Sequence, residues 1–434
     1  PFIKGILIAL TFNEYMFIKK FHFLFKTLIC AAILFFYAQV HGQHYNKITA
    51  TLDGNSKAIT IIQEFKFYNS SKDTLEVLYF NDWANAYSNK NTALAKRFEE
   101  EYKKSLHLAK DEERGTTKII SAVDDKYTGL QWEHTSEYDI VQFKLNSKLA
   151  PNEYTTLYLT YKVKLPPNRY TLFGYSSRNE YYLKDWYLTP AVYDGEWHLY
   201  SNKNLEDLYT GITNTDILLN YPKGLFLTSN FEKENEAELG NSKEVNLRGD
   251  YRKSCDLIIA PYTYFTRHVT DNVTIITDIN VSKFDDISKA IAIDKISNYI
   301  FEHLGSYPHS ELLVSTIDYN KDPLYGINQL PSFVRPYENQ FQFELKFLKT
   351  ALNSFFNETL FLNPRKEKWV MDALVNYMMI SYVEENYPDQ KLLGNLSNIW
   401  GFRKYNLAKT KFIEQYPLLY MYTARKNIDQ PLIT

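Results

Sequence analysis

The chain has 434 residues, of which 45% are hydrophobic and 23% are charged, and its formal net charge is -2. This length is enough for two or three domains, and the composition is that of a folded globular protein with ample material for a core. The near-neutral charge argues against nucleic acid or an anionic membrane surface as the main partner, because both usually require a basic face.

The first predicted element is a signal peptide at 16–42. Lys19 and Lys20 form a basic region, the apolar stretch 27–38 follows, and a short cleavage sequence precedes Gln43. A transmembrane anchor is the alternative, but the apolar stretch is well short of the roughly 20 residues that a span requires. We therefore expect an exported protein, periplasmic, secreted or on the cell surface, with no membrane span in the mature chain.

Cysteine usage indicates how the mature chain is stabilised. Cys30 lies within the apolar part of the signal peptide and follows Ile29 rather than a small residue, which argues against a lipoprotein. Cys255 is then the single cysteine of the mature sequence, so it has no partner for an internal disulfide. The core alone is expected to stabilise the fold.

Short runs of alternating apolar and polar residues dominate the region 43–261. Clear examples are 58–69, 139–145 and 155–166, and this period of two predicts β-strands. One charged segment, 92–113, has a helical pattern and interrupts the strands. The region is therefore predicted to be an all-β domain with a helical insertion.

The pattern changes to a helical period after about residue 281. A helix is predicted at 284–305, a strand at 311–318, and two helices within Lys349–Tyr377 that are separated by a break at Asn363–Pro364. This order of elements indicates an all-β domain followed by an α/β or helix-rich domain.

Aromatic residues are abundant, with 36 Tyr and 28 Phe. A large aromatic core together with a tyrosine-rich surface accounts for this number, and a dedicated platform for carbohydrate or peptide is the alternative. Composition leaves both interpretations open.

Two short stretches in the second half of the chain fit one family pattern. The stretch WVMDALVNY begins with Trp369 and ends with Tyr377, and the stretch KTALNSFF ends with the aromatic pair Phe355–Phe356. On these residues the chain resembles the aminopeptidase N family of zinc metallopeptidases. This gluzincin family has the motif H-E-x-x-H-x-W-F and, after a fixed gap, the motif W-L-x-E-G-x-A-x-Y. The resemblance covers nearly all of 45–434.

The resemblance implies a fold class and domain limits. Members of the family have an N-terminal β-saddle domain, a thermolysin-like domain and a helical C-terminal domain. We therefore expect an α+β multidomain chain, with a β-saddle domain, similar to a β-sandwich, at 43–261 and a thermolysin-like α/β domain at 262–434. On this expectation the chain is truncated before the helical C-terminal domain, and the family's catalytic tyrosine would lie beyond Thr434.

The resemblance also implies where a zinc site would lie, and this sequence departs from the family there. The two histidine ligand positions are Lys349 and Asn353, the third ligand position is Asp372, and the general-base position is Thr350. Catalytic zinc needs three protein ligands and a bound water that a base activates. A protonated Lys349 about 4 Å from the ion would repel it by roughly 8 kcal/mol at an effective dielectric of 20. The last histidine, His309, precedes both helices, so no zinc and no other cofactor is expected.

Without zinc, Asp372 would be a partly buried charge that needs a partner. Lys349 has the length and the charge to be that partner. Asn353, one turn further along the helix, is expected to donate a further hydrogen bond to Asp372. We therefore predict that the Lys349 ammonium lies within about 4 Å of the Asp372 carboxylate, in the place of the ion. The alternative is that Lys349 extends to solvent.

A second family element, the substrate-binding motif G-A-M-E-N, aligns with the sequence YGINQ. The resemblance implies that Tyr325, Gly326, Ile327, Asn328 and Gln329 form the edge that receives a peptide as an added strand. Asn328 replaces the glutamate that binds the substrate's α-amino group, so this anionic anchor is lost. A glycine turn before a strand is the alternative for the same residues.

These substitutions lead to one interpretation of function and one alternative. The chain is interpreted as an exported, aminopeptidase N-like pseudoenzyme whose zinc site is a structural remnant, and either a peptide- or protein-binding surface or a scaffold is the role left open to it. The alternative is an active zinc-dependent aminopeptidase that takes its metal from unusual ligands and removes N-terminal residues from peptides. Stoichiometric zinc and hydrolysis of aminoacyl anilides would favour the alternative.

Overall fold

The computed structural model of the chain describes residues 43–324 and 337–390. Within these ranges the fold is mixed α/β, rich in sheet and with few helices, which confirms the predicted combination of strands and helices. The predicted signal peptide at 16–42 lies outside the described residues. None of the described helices combines the length and the apolar character that a membrane span requires.

Strands make up about half of the described chain before residue 261 and a smaller share after it. In chain order they are β1 His44–Asp53, β2 Ala58–Tyr68, β3 Leu75–Asn81, β4 Thr116–Val123, β5 Gln131–His134, β6 Ile140–Leu149, β7 Tyr154–Lys164, β8 Gly174–Tyr175, β9 Tyr181–Leu183, β10 Thr189–Pro190, β11 Thr213–Pro222, β12 Phe226–Ser229, β13 Glu232–Leu239, β14 Ser242–Arg252, β15 Leu257–Ala260, β16 Thr266–Val269, β17 Thr274–Thr277 and β18 Glu311–Val314.

Helices concentrate in the second half of the described chain. They are α1 Ala93–Glu100, α2 Asp286–Leu304, α3 Thr316–Lys321, α4 Asn339–Thr359 and α5 Lys368–Asn386, with two short 3₁₀ helices at Trp83–Tyr87 and Asp111–Glu113. We call residues 44–260 the β-rich part and residues 266–386 the helix-rich part. The assignment of these parts to a β-saddle domain and a thermolysin-like domain stays a prediction.

The largest sheet of the β-rich part has seven strands in the order β13-β14-β11-β1-β2-β7-β4. Strand β2 shows how the local sequence builds it, because buried and exposed residues alternate along 59–67 and place one face on the core. Two four-stranded sheets, β10-β3-β6-β5 and β12-β15-β9-β8, complete this part. Their inward side chains form one hydrophobic cluster that includes Ile61, Phe65, Phe143, Tyr161 and Trp186.

The helix-rich part has a separate hydrophobic cluster around α4. Strands β17 and β18 pair in parallel, and α2 connects them along the chain. The Glu344 carboxylate of α4 is fully buried and lies 3.1 Å from the Lys295 ammonium of α2. The Tyr382 hydroxyl of α5 donates to the same carboxylate at 2.5 Å. This buried carboxylate therefore ties α2, α4 and α5 together.

The connection between α4 and α5 attaches the helix-rich part to the β-rich part. It contains the break that the sequence predicts at Asn363–Pro364. The Arg365 guanidinium donates to the Asp207 carboxylate at 2.6 Å and lies over the Tyr200 ring, 4.7 Å from its centroid. The Asn363 amide donates to the Tyr200 hydroxyl at 3.0 Å. A short connection thus holds the start of α5 against the other part of the molecule.

The helix predicted at 92–113 is wrong in its length. Helix α1 ends after two turns, and Tyr102 adopts a left-handed φ of 58°, which does not continue a helix. The next apolar side chain, Leu106, is fully buried and joins a small cluster with Leu94 and Phe98. Burial of Leu106 against α1 requires the chain to fold back, and the helix stops for that reason.

The strand predicted at 311–318 is also too long. Strand β18 covers its first four residues, and α3 begins directly after Ser315. The Ser315 hydroxyl accepts a hydrogen bond from the backbone N–H of Asp318 at 3.0 Å, which caps the helix. The capping residue converts the second half of the predicted strand into a short helix.

Candidate functional site

Lys349, the first predicted ligand position, lies in the middle of α4 and is engaged in an ion pair. Its ammonium is 2.7 Å from the Asp322 carboxylate and donates to the Asp322 carbonyl at 2.9 Å. The Lys349 side chain is 14% exposed, whereas that of Asp322 is 51% exposed. The residue therefore carries a positive charge that is already used to join α4 to the end of α3.

The general-base position also lacks suitable chemistry. The Thr350 hydroxyl donates to the Lys346 carbonyl one turn earlier at 2.9 Å, and the residue is only 2% exposed. A hydroxyl in this arrangement satisfies its own helix and is not presented to a substrate. Asn353 is half-buried on the same helix. An amide and an inward hydroxyl therefore occupy the predicted positions of the second ligand and the general base.

Asp372 is paired with a neighbour on its own helix. The Lys368 ammonium donates to both oxygens of the Asp372 carboxylate, at 2.8 and 2.7 Å. The predicted ion pair between Lys349 and Asp372 is therefore wrong: the structure gives each side chain another partner. The reason is local, since Lys368 lies one helical turn before Asp372 and Asp322 lies beside Lys349.

The residues at these positions do not fit zinc. No group of three or more His, Cys, Asp or Glu residues within the described ranges is arranged to hold a metal ion. An ion-paired ammonium at Lys349 and an amide at Asn353 are not among the ligands that zinc prefers, and only Asp372 offers suitable chemistry. That no zinc binds stays a prediction.

The histidine that comes last in the sequence is engaged elsewhere. His309 Nε2 lies 4.0 Å from the Glu358 carboxylate, which is also 3.7 Å from the Arg252 guanidinium. Burial, followed by the positive charge of Arg252, lowers the pKa of His309 to about 4. Arg252 lies on β14 and Glu358 lies on α4, so this cluster joins the two parts of the molecule.

Two other predicted features have different outcomes. The peptide-binding edge, Tyr325 to Gln329, lies outside the described residues. Trp369 and Tyr377, which carry part of the family resemblance, lie on α5 and are 54% and 65% exposed. Neither side chain is part of the hydrophobic core.

The structure brings together a set of charged side chains that the sequence analysis missed. They line a cavity of about 50 Å³ between the β-rich part and α3. We call this the acidic cavity, and its charged lining residues are Lys184, Asp185, Glu206, Asp256, Asp318 and Lys321. They come from distant parts of the sequence, and no motif links them.

Two lysines in the acidic cavity form ion pairs with two of its four carboxylates. Glu206 lies 2.6 Å from the Lys184 ammonium and 3.1 Å from the Lys321 ammonium, and Lys321 also lies 3.5 Å from Asp318. Burial alone would raise the pKa of Glu206, but the two lysines hold it down at about 2. Both cations of the cavity are therefore directed at Glu206 and Asp318.

The other two carboxylates of the acidic cavity are left without close cations. Asp185 is 8% exposed and has no hydrogen bond or ion pair from its side chain to any described residue. Asp256 has a buried Oδ1 without a hydrogen-bond partner among the residues that the structure describes. Burial raises the pKa of Asp185 to about 7, against the attraction of Lys184, and burial also raises the pKa of Asp256.

A larger cleft of about 250 Å³ adjoins the acidic cavity, because both are lined by Leu172, Tyr182, Ile258 and Ile317. We call it the aromatic cleft, and its aromatic lining residues are Tyr182, Phe226, Tyr262, Tyr264 and Phe265. The rings of Tyr262 and Tyr264 lie 4.6 Å apart, and the Tyr262 hydroxyl donates to Glu180 at 2.9 Å. The aromatic surface is therefore held in place by packing and by a hydrogen bond.

Comparison with known proteins gives a structural likeness alone. No family model matches the sequence, and no curated protein matches it. Among solved structures, the M1 zinc metallopeptidase from Deinococcus radiodurans is similar, with 12% sequence identity and a TM-score of 0.47 over 79% of this chain and 70% of that chain. A mutant of that enzyme bound to a Tyr-Ser-Ala substrate gives the same identity, coverage and TM-score.

Proposed function

We propose that the chain is a peptide- or protein-binding relative of zinc aminopeptidases that lacks their peptidase chemistry. The observation that supports this most strongly is the ion pair between Lys349 and Asp322. On the family register, a cation occupies the place of the first zinc ligand, and a neighbouring carboxylate stabilises that cation. A metal ion at this place would have to displace a charged group from its partner.

The neighbouring positions support the same proposal. Thr350 lacks the carboxylate that a general base requires, and its hydroxyl already donates within the helix. Asp372, the position with ligand chemistry, is held by Lys368 at 2.7 Å. Recovery of a working metal site would require both ion pairs, Lys349–Asp322 and Lys368–Asp372, to break.

The test is a metal analysis combined with an activity assay on the purified full chain. We expect substoichiometric zinc after dialysis against zinc-containing buffer and no hydrolysis of alanyl or leucyl p-nitroanilide above the rate without protein. Stoichiometric zinc together with hydrolysis that a chelator abolishes would overturn the proposal. An active aminopeptidase of the same family, assayed in parallel, controls for the substrate and the buffer.

We also propose that the protein acts outside the cytoplasm, on the basis of the basic, apolar and cleavage regions at 16–42. N-terminal sequencing of the mature protein from a fractionated cell should begin at Gln43. A mature protein that retains Lys19 and Lys20 would contradict this.

The predicted peptide-binding edge at Tyr325–Gln329 is part of the proposed binding function. Because Asn328 is neutral, we propose that a bound peptide does not need a free amino group.

A further inference from the structure

The acidic cavity has two more negative than positive side chains. Four carboxylates and two ammonium groups line it, and both ammonium groups contact Glu206. Asp185 and Asp256 are therefore the carboxylates that lack a counter-charge at contact distance among the described residues. A buried carboxylate without a partner is costly to ionise, so a cation that enters the cavity would be favoured.

The Asp185 side chain is the one that indicates a bound ligand. Its carboxylate lines the cavity and the residue is more than nine-tenths buried, yet no described residue donates a hydrogen bond to it. A protein ordinarily pairs a buried carboxylate or replaces it with an uncharged residue. A carboxylate that lines a cavity and has no partner in the described chain can accept a hydrogen bond from a donor that enters the cavity.

The size of the cavity limits what that donor is. A volume of about 50 Å³ accommodates an ammonium group, which is close in size to a water molecule, because a water needs about 10 to 15 Å³ of cavity volume measured in the same way. No group of three or more His, Cys, Asp or Glu side chains within the described ranges is arranged to hold a metal ion. An ammonium carries three donors, which is enough for Asp185 and Asp256, and both of these residues line the cavity.

The adjoining aromatic cleft indicates what carries the ammonium group. The cleft has about five times the volume of the acidic cavity. Two of its aromatic side chains, Tyr264 and Phe226, are 58% and 49% exposed. Aromatic side chains contact peptide groups and aliphatic stems with little loss of conformational entropy. A charged group at the end of a slender stem, attached to a larger apolar body, matches the two adjoining spaces.

We propose that the acidic cavity binds the side-chain ammonium of a lysine in a peptide ligand, with Asp185 and Asp256 as its acceptors and the aromatic cleft against the body of the peptide. This inference rests on the proposed binding function and names its ligand class. It involves none of the positions Lys349, Asn353 and Asp372. A failure of one proposal is therefore distinguishable from a failure of the other.

The test is calorimetric titration of the full chain at pH 8, where Asp185 is ionised, with two peptides blocked at both ends. The probe is acetyl-Tyr-Lys-Tyr-amide, and its matched control has norleucine in place of lysine, which keeps the stem and removes the charge. We expect the norleucine peptide to bind at least about tenfold more weakly, as the loss of a charge-assisted contact in a desolvated site implies. Equal affinity for the two peptides would overturn the proposal, as would no binding of the lysine peptide.

Variants of the protein separate this site from general electrostatic attraction. Asp185→Asn should weaken binding of the lysine peptide at least about tenfold, whereas Asp271→Asn, an equivalent change at an exposed position, should leave it unchanged. Circular dichroism verifies the fold, and Asp256→Asn replaces Asp185→Asn if the latter does not fold. Equal effects of the cavity variant and the Asp271 variant would contradict the assignment.

A third arm identifies the source of the ammonium group. n-Pentylamine has one terminal amine on a similar stem but no peptide body. Binding of the lysine peptide at least about tenfold tighter than n-pentylamine assigns the site to peptides. Equal affinity of n-pentylamine, again abolished by Asp185→Asn, shows that the cavity binds an alkyl ammonium and overturns the role of the aromatic cleft.

Discussion

The Lys349 ammonium lies 2.7 Å from the Asp322 carboxylate, and this contact links the central helix α4 to the end of α3. A second contact runs in parallel, because the Lys346 ammonium lies over the Tyr319 ring, 5.4 Å from its centroid. Two lysines one turn apart therefore attach α4 to one short helix. The residue at the predicted first ligand position is therefore part of the scaffold.

This arrangement predicts which substitutions interact. Lys349→Ala and Asp322→Ala should couple in a double-mutant cycle by about 0.5 to 1 kcal/mol, because Asp322 is half exposed and solvent weakens the pair. Lys349→Ala and Asp372→Ala should be additive to within about 0.5 kcal/mol, since the structure gives them different ion-pair partners. Urea unfolding measures both cycles. A coupling between Lys349 and Asp372 larger than that between Lys349 and Asp322 would contradict the structure.

Restoring the family's ligands tests the register on which the predicted site depends. Lys349→His combined with Asn353→His places two imidazoles one turn apart on one helix face. If Asp372 lies at the third ligand position, this double variant should bind one zinc ion per chain, with a dissociation constant of about 1 µM or lower. Titration against a zinc-binding dye measures the affinity.

The control for the restored site is the further change Asp372→Ala. Zinc binding should weaken at least about tenfold, because a first-coordination ligand is lost. Retained affinity in this triple variant would mean that Asp372 is not the third ligand, and the alignment would then be wrong.

The Arg365–Asp207 contact should be among the most sensitive to substitution, because the Asp207 side chain is only 5% exposed. Arg365→Ala leaves a buried carboxylate without its cation and should reduce the free energy of unfolding by roughly 3 kcal/mol. Adding Asp207→Asn should recover part of the loss, since the unpaired charge is removed. Arg169→Ala, which breaks a pair with a 56% exposed arginine, should cost less than about 1 kcal/mol. Equal losses for Arg365→Ala and Arg169→Ala would refute the role given to burial.

The acidic cavity predicts a particular dependence of stability on pH. Burial raises the pKa of Asp185 from 3.8 to about 7, with repulsion from Asp256 and Glu206 partly offset by Lys184 and Lys321. A raised pKa means that the folded chain binds the proton more tightly than the unfolded chain between about pH 4 and pH 7. The contribution of this group to stability is therefore fully present below about pH 4 and is lost as the pH rises through about 7.

The amide in Asp185→Asn does not titrate, so this variant removes the dependence of stability on pH that Asp185 causes. The free energy of unfolding of the variant minus that of the unsubstituted protein should be roughly 2 to 4 kcal/mol larger at pH 8 than at pH 4. Thermal or urea unfolding at the two pH values measures this difference, with Asp271→Asn as the exposed control. A variant that loses stability at pH 8 relative to pH 4 would show that the carboxylate has a partner in the folded state.

Local sequence determined those features that depend on neighbours along the chain. The alternation in 58–69 predicted β2 to within one residue, because a strand buried on one face requires an apolar residue at every second position. The break at Asn363–Pro364 was equally predictable, since proline disfavours a helical residue before it. The change from strands to helices along the chain follows from the same patterns.

The tertiary structure decided which residues meet. Whether Lys349 pairs with Asp322 or Asp372 depends on how α4 packs against α3 and α5, and both carboxylates are compatible with the sequence. The helical pattern at 92–113 gave no sign that burial of Leu106 would stop α1. The acidic cavity joins Asp185 and Asp256, 71 positions apart in the numbering, and the burial that leaves their carboxylates without partners exists only after the two parts of the molecule have packed.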